Sequence, residues 1–213
     1  MMLGPDVEAE IAELAIHYGA PQRVVVGQER ASFSPLNMDD RYGEVCMVVR
    51  RTNGKLITAI KTFYPPGAYR LLTGGVNHGE PIATALLREV AEETGLEVVV
   101  RRFLAVIEYQ LAGTGDRGLA IRDQEPLNQA PAPSSHFATF AFLLDEVGGT
   151  LAVQDAGERI GSFREIEVAE LPALAATLEN APDVVDPEIG GSWRDWGRFR
   201  AVSHRVVYDR IGD

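Results

Sequence analysis

The chain has little sulfur, no long apolar segment and a shortage of positive charge. Cys46 is the only cysteine among 213 residues, so no internal disulfide can form. Nowhere do eighteen uncharged apolar residues follow one another, which argues against a transmembrane helix. Lys and Arg number 20 against 31 Asp and Glu. The resulting net charge of −11 argues against nonspecific binding to long nucleic acid and against adhesion to anionic membranes.

The remaining composition is that of one globular unit with extensions. Hydrophobic residues make up 46% of the chain, enough for one sizeable core. The first ten residues are acidic and lack a basic region followed by an apolar run, so we expect a cytoplasmic protein. We expect three parts: an N-terminal helical extension over residues 1–30, a core domain over 31–180 and a helical tail over 181–213.

Apolar periodicity predicts helices and short strands along most of the chain. Mixed strands with helices before, between and after them indicate a sheet packed between helices. The predicted strands cover residues 23–26, 44–50, 56–63, 102–110, 136–144 and 161–166, and the predicted helices cover residues 7–18, 171–178 and 192–211.

The C-terminal helix is amphipathic. Trp193, Trp196, Phe199 and Val206 recur at helical spacing. Such an apolar stripe docks a helix on its own domain or on a second subunit, and a homodimer is therefore one expectation.

The most informative segment, GGVNHGEPIATALLREVAEETGL, covers residues 74–96. Pro81 suits a first helical position, and Gly95 supplies a left-handed stop. A helix is therefore predicted between Pro81 and Gly95. At about 100° per residue, Glu89 and Glu93 fall on its apolar face. Buried carboxylates need cationic partners, either a basic side chain or a metal ion.

Arg88 lies one turn from Glu92 and can hold it in a charge-assisted bond. That pairing leaves Glu89 and Glu93 for another cation. Clustered hard oxygen ligands favour Mg²⁺ or Mn²⁺. The alternative is a surface helix with ordinary ion pairs between successive turns.

A glycine-rich loop before the helix favours the metal interpretation. Gly74, Gly75 and Gly79 allow the backbone to approach a ligand closely, and the loop leads into a helix N-terminus, which suits an anion. Glycine loop and carboxylate helix together predict a metal-bound phosphate.

On these residues the sequence resembles the Nudix hydrolases. The complete box of that family is present without a substitution: Gly74, Glu80, Arg88, Glu89, Val90, Glu92, Glu93, Gly95 and Leu96. The resemblance implies an α/β/α sandwich with a mixed β-sheet. It also implies metal-dependent hydrolysis of a phosphoanhydride in a nucleoside diphosphate linked to another group, with Mg²⁺ as the cofactor and Mn²⁺ as a possible substitute.

The resemblance also implies roles for single residues. Glu89 and Glu93 become the principal metal ligands, Glu92 a further or water-mediated ligand, and Arg88 the residue that orients them. The carbonyl of Thr73, just before the box glycine, becomes a metal ligand. Leu72 and Thr73 stand where many relatives have Pro-Gly, so the loop departs from the common sequence.

In relatives, the catalytic base is a glutamate of the box or of a later loop. The later segment here contains Asp155 and Glu158. Glu158 is the first candidate for the base and Asp155 the second. The alternative for Glu158 is a solvated loop residue.

Two segments are expected to meet the substrate. Lys61, Tyr64, Tyr69 and Arg70 precede the box, where Arg70 could pair with phosphate and a tyrosine could stack on a base. Aromatic packing and surface charge are the alternative. The long loop over residues 112–135 is the second segment, and it carries Arg117 and Arg122. His78 in the box loop is the histidine that could face substrate.

Substrate identity and reaction class stay open. The SQPWPFP run of relatives that cleave NADH is absent, and the first proline after Pro81 is Pro126, further from the box than in relatives selective for ADP-ribose. One alternative is a noncatalytic nucleotide-sensing module, although a sensor has no need of an unbroken box. Another is an isomerase of the same fold with a catalytic cysteine, although the apolar neighbours of Cys46 place it in a buried strand.

Overall fold

A computed structural model describes residues 3–28, 33–111 and 137–211. Most of these residues lie in helices and strands. In chain order they are α1 (Pro5–Tyr18), β1 (Gln22–Gln28), β2 (Arg41–Arg50), β3 (Leu56–Lys61), β4 (Arg70–Asn77), α2 (Ile82–Thr94), β5 (Leu96–Leu111), β6 (Phe137–Gly149), β7 (Ile160–Ile166), α3 (Leu171–Glu179), β8 (Val185–Asp186), β9 (Gly191–Ser192) and α4 (Trp193–Ile211). None of the helices in the described ranges is long and apolar enough to cross a membrane.

Seven strands form one mixed sheet in the order β1-β5-β6-β2-β4-β3-β7. β1 runs parallel to β5 and β2 parallel to β6, while the other neighbours are antiparallel. Side chains of α1 and α2 pack in the core on one face, and those of α3 and α4 in the core on the other. This arrangement confirms the predicted α/β/α sandwich with a mixed sheet.

Strand β2 shows why the central strands are continuous apolar runs in the sequence. Because successive side chains of a strand point to opposite faces, Cys46 and Val48 join one core while Val45, Met47 and Val49 join the other. Both faces of the sheet are covered, so both sets are buried.

Strand β4 is the main difference from the sequence prediction. Gly74 and Gly75 were predicted as part of a loop, but they lie in β4, between β2 and β3 in the sheet. Glycine carries no strand preference, so only pairing with β2 reveals the strand. Pro81 is also placed differently: it has extended backbone and caps α2, which begins at Ile82.

Helix α4 packs on its own chain. Trp193, Trp196 and Phe199 are buried in the same core as α3. A Cβ atom on Gly197 would lie 2.0 Å from the carbonyl oxygen of Leu178, so glycine allows the two helices to approach closely.

Candidate active site

Helix α2 holds two of its glutamates against the sheet. Glu89 and Glu93 are buried, while Glu92 is partly exposed. The neighbouring strand, β4, has a glycine at the contact with Glu89. A Cβ atom on Gly74 would lie 1.9 Å from Cδ of Glu89. The glycine at position 74 therefore meets a steric requirement, because the carboxylate of Glu89 occupies the space that a side chain would fill.

A third carboxylate joins these two. One carboxylate oxygen from each of Glu89, Glu93 and Glu158 lies within 4.8 Å of the others. Both carboxylate oxygens of Glu93 are buried without a hydrogen-bond partner in the described residues. Burial raises the pKa of Glu93 to about 8 and also raises the pKa of Glu89. This triad therefore fits a hard divalent cation, which would replace the missing stabilisation of its charges.

Arg88 donates hydrogen bonds to several glutamates of the box. Its Nε donates to Glu80 at 2.9 Å, and its Nη1 donates to Glu89 at 2.7 Å and to Glu92 at 3.1 Å. Its Nη2 donates to the carbonyl oxygen of Gly75 at 2.9 Å. The predicted bond to Glu92 is present, but the expectation that Arg88 would leave Glu89 free is wrong. Glu80 had no predicted role, and the hydrogen bond from Arg88 lowers its pKa.

The later loop is anchored next to the end of α2. The backbone amides of Gln154 and Asp155 both donate to the carbonyl oxygen of Glu92. This anchoring brings Glu158 to the triad, where the Nζ atom of Lys61 donates to it at 3.0 Å. Asp155 instead accepts from the amide of Gly157 at 2.7 Å and stabilises the turn.

Two adjoining cavities surround this cluster. The first, about 240 Å³, is polar and contains part of the triad. The second, about 230 Å³, extends towards α4. The residues common to both are Arg41, Lys61, Thr73 and Gly74. The second cavity is further lined by Phe33, Met38, Glu44, Phe63, Tyr64, Arg70, Glu188, Ile189, Trp196 and Arg200.

Arg70 lines the second cavity. It is buried, and it donates to the hydroxyl of Tyr64 at 3.1 Å and to Oγ1 of Thr73 at 3.0 Å. Tyr64 packs edge-on against Trp196 with ring centroids 4.6 Å apart, and the hydroxyl of Tyr69 is 2.8 Å from Oγ of Ser162. Both tyrosines thus make packing contacts, and base stacking by either stays a prediction.

Two residues of the second cavity, Arg200 and Glu44, had no predicted role. Nη1 of Arg200 donates to Oε2 of Glu44 at 2.6 Å and to Oγ1 of Thr73 at 3.0 Å. Arg200 comes from α4 and Glu44 from β2. The sequence pattern gives only a weak indication of Arg200. It follows Trp196 by one helical turn and so shares the face of that residue.

Other candidates lie elsewhere. His78 faces a cavity of about 560 Å³ between α1 and the box loop, lined by neither Glu89, Glu93 nor Glu158. Cys46 is fully buried and burial raises its pKa to about 12, which disfavours the isomerase alternative. Arg117 and Arg122, with the loop over residues 112–135, are outside the described residues.

Comparisons with known proteins identify relatives of this chain. The chain is 27% identical over 161 residues to the NAD-capped RNA hydrolase NudC of Stutzerimonas stutzeri, a match that covers 74% of this chain and 49% of the relative. It is 28% identical over 128 residues to the ADP-ribose pyrophosphatase of Methanocaldococcus jannaschii, covering 60% of this chain and 63% of the relative. The chain thus spans about half to two thirds of the length of these curated relatives.

Among solved structures, a NUDIX hydrolase from Nitrosomonas europaea is similar with a TM-score of 0.45 and 16% identity, covering 80% of this chain and 91% of that one. A family model described as NUDIX domain matches residues 40–187, more than half of the chain. The chain therefore belongs to the NUDIX domain family.

Proposed function

We propose that this protein is a Mg²⁺-dependent pyrophosphohydrolase that cleaves a phosphoanhydride bond in a nucleoside diphosphate linked to another moiety. The observation that carries the proposal is the cluster of Glu89, Glu93 and Glu158, in which Glu89 and Glu93 are buried and both oxygens of Glu93 lack a hydrogen-bond partner among the described residues. Three clustered carboxylates favour a small hard cation, with Mn²⁺ as the possible substitute.

Glu89 and Glu93 would hold the metal ion, with Glu158 beside them. When bound, the ion supplies charge neutralisation for the diphosphate and a more acidic water molecule. Arg88 orients Glu89 and Glu92 through its hydrogen bonds, which supports its proposed positioning role. Glu92 as a further ligand and the Thr73 carbonyl as a ligand stay predictions from the family resemblance.

Glu158 is our proposed catalytic base. It lies at the triad, whereas Asp155 is engaged in its own turn. Lys61 holds one oxygen of Glu158 at 3.0 Å and so fixes the orientation of the carboxylate that would accept a proton from water. Arg70, Tyr64 and Lys61 all line the second cavity, which supports their proposed contact with substrate.

The substrate class is supported by the names of the two curated relatives. NAD-capped RNA and ADP-ribose each contain a diphosphate that joins two larger groups. We propose a small-molecule substrate of this class, because the net charge of −11 disfavours nonspecific contact with a long nucleic acid.

The test is turnover of a substrate panel by the full chain with Mg²⁺, with Mn²⁺ and with a chelator. The panel contains nucleoside triphosphates, nucleotide sugars, ADP-ribose, NADH, dinucleotides, CoA and NAD-capped RNA, with products separated by chromatography. We expect metal-dependent release of nucleotide from at least one member. No release from any member would refute the proposal.

The Glu93→Gln variant tests the assignment of the metal site. We expect at least a 100-fold loss of turnover, because a neutral amide is a poor ligand for a hard cation. Glu97→Gln is the matched control, since Glu97 is exposed on β5 just beyond α2. Equal activity of Glu93→Gln and wild type would contradict the assignment. Nucleotide binding by the wild type without turnover would instead favour the noncatalytic sensor.

A further inference from the structure

Two guanidinium groups meet at one hydroxyl oxygen beside the triad. Nη1 of Arg70 and Nη1 of Arg200 both donate to Oγ1 of Thr73 at 3.0 Å. Arg70 is buried, and the side chain of Arg200 is 11% exposed. Like charges this close repel strongly in a poorly hydrated wall. The pair therefore needs negative charge nearby.

Only part of that charge is supplied by the described residues. Glu44 pairs with Arg200 through Oε2 at 2.6 Å, while its Oε1 accepts from the hydroxyl of Thr139. The described hydrogen-bond acceptors of Arg70 are uncharged: the hydroxyl of Tyr64, the carbonyl of Leu71 and the hydroxyl of Thr73.

Glu93 is a further source of negative charge for Arg70. Burial lowers the pKa of Arg70, whereas the charges of Glu93 and Glu44 raise it through space. Glu93 is also a proposed metal ligand, and a bound cation would offset its charge. Arg70 is then left without an anionic partner of its own.

Both arginines face an open cavity. They line the second cavity, which adjoins the cavity of the triad through Lys61, Thr73 and Gly74. Nε of Arg200 is buried and has no hydrogen-bond partner in the described residues. The other lining residues of this cavity are mostly apolar or aromatic, namely Phe33, Met38, Phe63, Ile189 and Trp196, with one further acid, Glu188. The cavity thus combines cationic groups next to the triad with apolar side chains.

We propose that Arg70 and Arg200 form a subsite for the phosphate of the diphosphate that is furthest from the metal ion. Guanidinium groups suit phosphate oxygens because they present several donors in one plane. The group attached to this phosphate would contact the apolar side chains of the cavity. Arg200 lies beyond residues 40–187, so α4 would contribute a specificity-determining residue from outside the part matched by the family. The inference deepens the proposed function and rests on it for turnover.

The test measures binding of a non-hydrolysable diphosphate, methylenebisphosphonate, by isothermal titration calorimetry at constant Mg²⁺. We expect Arg200→Gln to raise the Kd at least about tenfold, the usual scale for a lost charge-assisted interaction. Arg200→Lys keeps the charge but loses the planar donors, and we expect an intermediate Kd. Arg198→Gln is the matched control, because Arg198 is exposed on the same helix. We expect it to bind like the wild type.

A second variant controls for misfolding of Arg200→Gln. Arg200→Gln leaves Glu44 buried without its cation, which destabilises a protein. The double variant Glu44→Gln/Arg200→Gln removes both charges of the pair. Far-UV circular dichroism and thermal unfolding check its fold, and we expect the same weakening of binding.

The outcomes separate this subsite from the proposed hydrolysis. A Kd of the folded double variant within twofold of wild type overturns the subsite, and so does an absence of binding by the wild type. Arg200-dependent binding with no cleavage anywhere in the substrate panel supports the subsite and contradicts the hydrolase. Cleavage with normal KM in Arg200→Gln supports the hydrolase and overturns the subsite.

Discussion

Single side chains at this site are constrained by what lies against them. Gly74 has no side chain, and Glu89 fills that space. Glu93 lacks hydrogen-bond partners among the described residues because α2 turns it towards the sheet, away from water. These details follow from the packing of α2 on β4, and each can be altered by one substitution.

The Gly74→Ala variant tests the packing of Glu89. The added methyl group would overlap the carboxylate of Glu89, so Glu89 must move out of the triad. We expect a loss of about 1–3 kcal/mol in the free energy of unfolding, the usual range for an overpacked site. We also expect weaker Mg²⁺ binding, measured by calorimetry.

Gly161→Ala is the control for this substitution. Gly161 also lies in a strand, but its Cβ atom would meet no described atom closer than 3.4 Å. Normal Mg²⁺ affinity in Gly74→Ala would show that Glu89 does not depend on the missing side chain.

At the scale of elements, α4 is joined to β4 by a buried histidine. Nε2 of His204 accepts from the amide of Leu71 at 3.0 Å, so its proton is on Nδ1, which donates to the carbonyl oxygen of Arg200 at 2.9 Å. Burial lowers the pKa of His204 to about 4 from its usual 6.5. Neutral His204 therefore stabilises the docking of α4.

We predict a pH-dependent loss of stability from this contact. Because the folded-state pKa is depressed, the unfolded chain takes up a proton first as the pH falls. The contribution of His204 is full above pH 6.5 and is lost between pH 6.5 and about 4. The shift corresponds to about 3 kcal/mol at most. The measurement is urea unfolding at a series of pH values.

His204→Gln provides the comparison, because its amide oxygen can accept from Leu71 without titrating. The difference in free energy of unfolding between wild type and variant should shrink or reverse below pH 6. Parallel pH curves for the two proteins would contradict the role of His204.

At the scale of the whole molecule, α4 is part of the core although it lies beyond residues 40–187. Its aromatic residues pack with Phe33 and Tyr109 from distant parts of the chain. The division into residues 1–30, 31–180 and 181–213 stays a prediction, as do a homodimer and a cytoplasmic location.

A chain that ends at residue 187 should lose its cooperative fold. It lacks Trp193, Trp196 and Phe199, which are buried in the core. Each such loss costs about 3–5 kcal/mol, and together they approach the whole stability of a typical domain, about 5–15 kcal/mol. Urea unfolding followed by far-UV circular dichroism measures this. A chain ending at residue 211 is the control, and equal unfolding midpoints would show that α4 is separable.

Local patterns in the sequence determined most of the helices and strands of the fold, and they also indicated the chemistry of α2. Apolar spacing placed the predicted strands and helices, and the spacing of Arg88, Glu89, Glu92 and Glu93 indicated a metal-binding helix, because residues near in sequence share a face through backbone geometry alone. Strand β4 was missed, since its pairing depends on other strands.

Tertiary structure decided how distant residues meet at the site. The family resemblance had offered both Glu158 and Asp155 as the base, and the loop anchored on α2 brings Glu158 to Glu89 and Glu93. Arg200, which had no predicted role, meets Thr73 across 127 positions of sequence. No periodicity along a chain records such a contact. It exists because burial of apolar faces docks α4 on the sheet and carries its polar side chains to fixed places.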